Sequence, residues 1–115
     1  MGDLRGLIEA VTAGTATGGP DALAVPLDMS ALIATVTGDD DELWSAFVGA
    51  HDGSLDDAKA LHEALLPGWW ASLRLSTRPM VTVGHLDAVA ETQDDSLARA
   101  WLLAILRALE AEGKA

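Results

Sequence analysis

The sequence predicts an α+β fold: a helical, acidic N-terminal half beside a small antiparallel sheet of two or three strands, packed by two or more helices. Three observations carry this. Apolar residues recur at i, i+3, i+4, i+7 in the first half. From Trp69 the pattern switches to strict alternation. A long, broadly apolar helical pattern then closes the chain. At 115 residues, half of them hydrophobic, the chain is one domain's worth. Residues 1–50 form its acidic helical part and residues 54–112 a helix–hairpin–helix part.

Leu4, Leu7, Ile8 and Val11 make one apolar stripe, and Met29, Leu32, Ile33 and Val36 repeat it 25 residues on. The flanks match as well, with Asp3 and Asp28 ahead of the stripes and Thr12 and Thr37 behind them. "DLRGLIEAVT" and "DMSALIATVT" therefore read as one helical element, duplicated or convergent, with Asp28 as an N-cap. The stretch between them is a loop whose glycines lack the Lys-Ser/Thr of a phosphate-binding loop. "GDDDELWSAFVGA" starts a third helix, with Asp39 and Glu42 as its capping box and Leu43, Trp44, Phe47 and Val48 as its buried face. The Asp run fails as a calcium loop, because Trp44 stands where the turn glycine belongs.

A fourth helix starts at Ser54, with Asp57 completing a capping box, and Pro67 must end it. Leu55, Ala58, Leu61, His62, Leu65 and Leu66 share its apolar face. Trp69, Ala71, Leu73 and Leu75 then alternate with Trp70, Ser72, Arg74 and Ser76, a half-buried strand whose first set is expected under the closing helix. Ser76–Pro79 turns the chain into a second strand, Met80–His85, with Val81 and Val83 inward, and "DAVAET" adds a short third. The last helix is expected from Asp95 to Glu112, capped by Thr92. Arg99, Arg107, Glu110 and Lys114 fall in one narrow polar strip, and Leu103 lies within it. Such a helix is either a central core element or one that buries a second face against a partner subunit.

Charge is unevenly spread. Net charge is −11, and residues 1–57 hold eleven of the eighteen acids with Arg5 as their one base. This half should repel nucleic acid and anionic membranes and attract basic surfaces. Direct nucleic-acid binding is not expected from seven bases against eighteen acids. The chain has no cysteine, so disulfides, thiolate catalysis and cysteine-based zinc sites are excluded. No apolar run reaches a membrane span. MGDLRG lacks a basic n-region and an apolar h-region, so no signal peptide and a cytoplasmic setting are expected.

Catalytic signatures are missing. "HEALL" has Leu66 where a metalloprotease needs a second histidine, and His62 sits inside an apolar face, as a packed core histidine would. His51 precedes Asp52, but neighbours in sequence rarely face each other and no nucleophile motif accompanies them. His85 is expected at the rim of the sheet. A metal site would require His51, His62 and His85 to converge. No cofactor is implied, and the expectation is a protein that is not an enzyme.

"SLDDAKALHEALLPGWWASLRL", a short hairpin, and "ETQDDSLARAWLLAILRALEAEG" together resemble the phage ABA sandwich domain, found in small proteins of phages and prophages. Ala60–Trp69 carries its "ALxxALLPGW" helix-to-strand junction, and Ser96–Ala111 its closing helix. "QDDSLARAW" stands in place of "TPALAL", and the segment between the strands is very short. The resemblance covers about half the chain. It implies an α+β sandwich and a mobile-element origin, and no particular activity.

The expected function is a non-enzymatic phage or prophage accessory protein that binds a host or phage protein, specifically one that inhibits or modulates a bacterial defence or regulatory complex. The alternatives are a self-assembling structural component of a phage or gene-transfer particle, and a small metal-dependent enzyme. Trp70, Arg74 and Leu103 are the candidate partner contacts, with Asp39, Asp40, Asp41 and Glu42 offered to a basic, nucleic-acid-binding partner. Leu103 would serve a homodimer. Alternation puts Trp69 in the core and Trp70 on the other face, where the N-terminal helices of a three-layer sandwich are expected to cover it.

Overall fold

The computed structural model describes residues 3–13, 33–34, 36–38, 40–75, 77–85 and 88–111. Its elements are α1 (Asp3–Ala13), α2 (Asp41–His51), α3 (Leu55–Leu65), β1 (Trp70–Arg74), β2 (Met80–His85), β3 (Ala88–Gln93) and α4 (Leu97–Ala111). The strands form one antiparallel sheet in the order β1-β2-β3. The α+β class predicted from the sequence is thus the observed one. No helix among the described residues is long and apolar enough to cross a membrane.

Helix α4 is the centre of the core. Its residues from Ala100 to Leu106 are all buried, as are Ala98, Ala108 and Leu109, while Arg107 reaches solvent. It is surrounded by α1, α2 and α3 and by strands β2 and β3. Of the two readings its wide apolar face allowed, the central core helix is the correct one, and Leu103 is only 3% exposed. The polar strip that contained it is interrupted because neighbouring helices close over the helix from several sides. Its cap also differs from expectation. Ser96 Oγ accepts the Arg99 N–H (3.3 Å) and Asp94 Oδ1 accepts the Ser96 N–H (3.0 Å). Thr92 instead lies in β3 and donates its hydroxyl to the Ala100 carbonyl.

Of the N-terminal stripe, Leu7, Ile8 and Val11 are buried as read, and the Leu4 side chain lies outside what is described. In the second copy, Met29, Leu32 and the expected cap Asp28 lie outside the described residues. What is described agrees with the 25-residue correspondence. Ile8 and Ile33 are both buried, and Thr12 and Thr37 return their hydroxyls to those same residues' carbonyls, at 2.8 and 3.3 Å. Each hydroxyl bonds one turn back along a helix, as Ser and Thr do there.

Helices α2 and α3 form a hairpin. Asp40, one residue later than expected, is the N-cap of α2: its Oδ1 accepts the N–H groups of Glu42 (2.9 Å) and Leu43 (3.1 Å). Asp39 lies outside the described residues. The buried face of α2 is Ala46, Phe47, Ala50 and His51, with Leu43 and Trp44 packed at its margin. Ser54 caps α3 through the Asp57 N–H (3.2 Å), but the reciprocal half of the box is not made, since the Ser54 N–H goes to the Gly49 carbonyl (2.8 Å). Leu55 is exposed, at the solvent end of the face predicted to be apolar. The α2 C-terminus is tied to α4 by Arg99, whose Nε and Nη2 both donate to the His51 carbonyl (3.2 and 3.1 Å). After α3, Gly68 takes φ +86, a left-handed conformation that lets the chain reverse between Pro67 and the sheet.

In the sheet, Val81 and Val83 are fully buried beneath α4, as their alternation predicted. Strand β1 departs from expectation, because every one of its residues is exposed. Leu73 (42%) and Leu75 (78%) were expected under the closing helix and are not covered. The reason is width. A helix about 10 Å across spans two strands set ~4.8 Å apart, and α4 lies across β2 and β3. The third strand is left beyond its edge.

Candidate functional site

Register decides which side chains share each face. Trp70 pairs with Gly84 and Gly84 with Val89; Ser72 with Thr82 and Thr82 with Glu91; Arg74 with Met80 and Met80 with Gln93. These three rows form the sheet face opposite α4. No described element packs on it, so the expected coverage of Trp70 by N-terminal helices is not found among the described residues. Trp70 remains 50% exposed and Val89 61%.

Trp70 is held in place by the residue across from it. A Cβ at Gly84 would collide with Cζ2 and Cε2 of the Trp70 ring, so the indole packs directly against the bare backbone of β2. The absence of a side chain thus makes a shelf, which accounts for a glycine inside a strand. Next to it, Thr82 donates to Glu91 Oε2 at 3.1 Å. The result is a tryptophan seated on the sheet, with Val89 beyond it and a polar row beside it. Arg74, four residues on from Trp70, is exposed on the same face.

The adjacent tryptophan is a different object. Trp69 is half-buried against the core, its ring stacked on His85 with centroids 5.6 Å apart and planes 21° from parallel. Its carbonyl lies 2.9 Å from His62 Nε2. His62 Nδ1 in turn accepts the Trp101 indole N–H at 3.2 Å. Because an indole nitrogen can only donate, Nδ1 must be the acceptor and Nε2 must carry the proton that goes to the Trp69 carbonyl. His62 is 6% exposed and engaged at both nitrogens, a core histidine as its position on α3 indicated. It fixes the point where the chain leaves the helix and enters β1.

His51 is buried, and its Nδ1 meets Asp52 Oδ1 at 3.1 Å, so these sequence neighbours do face each other. Burial pushes the His51 pKa below its ordinary 6.5, helped by the nearby Arg99 guanidinium, although Asp52 and Asp94 act in the opposite direction. The imidazole is 1% exposed. Among the described residues, no group of three His, Asp or Glu side chains is placed to hold a metal ion.

The acidic candidates separate as well. Asp40, Asp41 and Glu42 are exposed at the start of α2, where Asp40 is already engaged as the cap. Asp52, Asp56 and Asp57 lie around the turn at the other end of that helix, roughly 16 Å away at 1.5 Å per residue. These six carboxylates thus sit at helix ends in two separate places. Leu103, buried in α4, is unavailable to a partner.

Of the sequence candidates, Trp70 and Arg74 therefore stand together on the open face of the sheet, while Asp40, Asp41 and Glu42 are exposed at the start of α2. Gly84 and Val89 complete that face and were not singled out in advance. The glycine within "MVTVGH" was the available sign, since a strand glycine marks close approach by another group. Among the described residues, the fold and surface define a helix-backed antiparallel sheet with one open face and an open edge at β1. No family model, curated protein or solved structure matches the chain.

Proposed function

We propose that this protein acts by binding another protein through the sheet surface around Trp70, and not by catalysis. The observation that carries the reading is a half-exposed tryptophan laid on Gly84 beside exposed Val89, at an edge where Leu73 and Leu75 are exposed too. Tryptophan and arginine are the residue types most enriched where binding energy concentrates, and Arg74 shares the face. The enclosure of His51 and His62 further supports a non-catalytic role.

The specific version is a phage or prophage accessory protein in the bacterial cytoplasm, inhibiting or modulating a defence or regulatory complex. The resemblance of residues 54–112 to phage ABA sandwich domains supports it. So does the net charge of −11, which favours a partner with a basic surface, including one that handles nucleic acid. A role as a self-assembling particle component is the second reading, favoured by the open β1 edge.

Affinity capture from bacterial lysate with the native chain and with Trp70→Ala tests the proposal. Specific proteins retained by the native chain and lost with the variant, whose fold is checked by circular dichroism, support it. Equal recovery by both would remove Trp70 from any binding role.

A further inference from the structure

We propose that the free edge of β1 pairs with the β1 edge of a second copy of this chain, joining two three-stranded sheets into one six-stranded sheet about a two-fold axis at Ser72. The inference deepens the protein-binding reading by naming what occupies this edge.

The argument is one of self-complementarity. In an antiparallel pair about Ser72, residues whose numbers add to 144 stand opposite each other and share a face. Ser72 then meets the partner's Ser72, Trp70 meets the partner's Arg74, Ala71 meets the partner's Leu73, and Trp69 meets the partner's Leu75. Each of these pairings has a physical consequence. The guanidinium lies beside a tryptophan ring, a favourable cation–π arrangement. Leu73 (42% exposed) and Leu75 (78% exposed) gain apolar neighbours on the helix-backed face. Three of the five exposed large hydrophobic residues in the described structure lie on this edge, and this one register satisfies all three.

Continuity of the rows follows from the observed register. Val89, Gly84 and Trp70 run on into the partner's Arg74, Met80 and Gln93. The polar row Glu91, Thr82, Ser72 runs on into its own mirror. On the other face, Ala90, Val83 and Ala71 meet the partner's Leu73 and Val81.

Charge favours this edge over the other. β1 holds one cation, Arg74, and no acid, in a chain of net charge −11. The opposite edge, β3, carries Glu91 in mid-strand, so joining two copies there would add facing carboxylates to an already anionic pair. Nor does β1 show the devices that protect an edge strand. It has no proline and no lysine, and its one charge is placed to meet an aromatic ring.

Sedimentation velocity over ~1 μM to ~1 mM, spanning the affinities expected of a small interface, reads the association directly. The native chain is expected to show a concentration-dependent monomer–dimer equilibrium. Ser72→Glu puts two carboxylates opposite each other on the solvent face and should weaken Kd by up to about fourfold at low ionic strength, and by less as salt screens the pair. Because the chain has no native cysteine, Ser72→Cys provides a second measure. Under mild oxidation it should cross-link faster than Val89→Cys, which is exposed on the same face but at the far edge. Faster Ser72→Cys cross-linking supports the pairing even if Ser72→Glu fails to fold.

A chain monomeric throughout the range overturns the inference. So does a dimer unaffected by Ser72→Glu in which the two cysteine variants cross-link equally. In either case, Trp70-dependent capture of a different protein would leave the proposed function standing.

Discussion

Replacing Trp101 with Phe removes the indole N–H that His62 Nδ1 accepts at 3.2 Å, in a region where both rings are almost fully buried. A buried acceptor left without its donor costs about 1–3 kcal/mol. The ring atoms lost from the core add about 2 kcal/mol. The single variant should therefore be destabilised by about 3–5 kcal/mol, a large part of a small domain's total. His62→Leu alone orphans two groups, the Trp101 N–H and the Trp69 carbonyl that His62 Nε2 reaches at 2.9 Å. Its cost is about 2–6 kcal/mol. In the double variant, however, the acceptor and the indole donor disappear together, and only the Trp69 carbonyl lacks a partner. The double variant should thus fall short of the sum of the singles by about 2 kcal/mol or more. Urea unfolding followed by far-ultraviolet circular dichroism measures all four corners of the cycle without relying on tryptophan emission. Additivity within about 0.5 kcal/mol would refute the reasoning, because it would mean that His62 and Trp101 do not satisfy each other.

Burial holds the His51 pKa below 6.5, so the unfolded chain binds more protons than the native one between the depressed native value and 6.5. This residue's contribution is therefore intact above pH 6.5 and is lost as pH falls below it; the unfolding free energy of the native chain should decline more steeply from pH 7.5 to 5.5 than that of His51→Gln. A Cβ at Gly49 would collide with the Asp57 side chain, whose carboxylate must swing aside, while a mid-helix alanine gains about 0.5–1 kcal/mol over glycine, so Gly49→Ala should lower stability by a net of about 1 kcal/mol. Adding Asp57→Ala should recover part of that loss in the same urea titration, which a clash with any other group would not allow. Asp40→Ala and Ser54→Ala each remove an N-cap and should cost about 1 kcal/mol, read as a lower unfolding midpoint with an unchanged denaturant slope.

Caps, periods and breaks were legible because they are local. Ser54, Pro67, the Met80–His85 strand and the buried Val81 and Val83 could all be placed from residues a few positions away. The helix caps that moved did so because several candidates stood side by side: in "GDDDE" any aspartate can cap, and in "ETQDDS" the hydroxyl of Ser96 serves while Thr92 is drawn into the third strand. The candidate site was half legible. Alternation separated Trp69 from Trp70, but alternation only says which residues share a face; it does not say whether anything covers that face.

The sequence by itself therefore determined the element types, the α+β class, the acidic bias of the N-terminal half and the absence of cysteine chemistry. Each follows from composition or from a period that a single segment carries. Only the tertiary structure decided which faces are covered. Leu103 is buried because helices and strands enclose α4, and Leu73 and Leu75 are exposed because a helix two strands wide cannot reach a third. Trp70 lies open on Gly84 because their two strands happen to pair in that register, and a pairing between distant residues is written in neither strand alone.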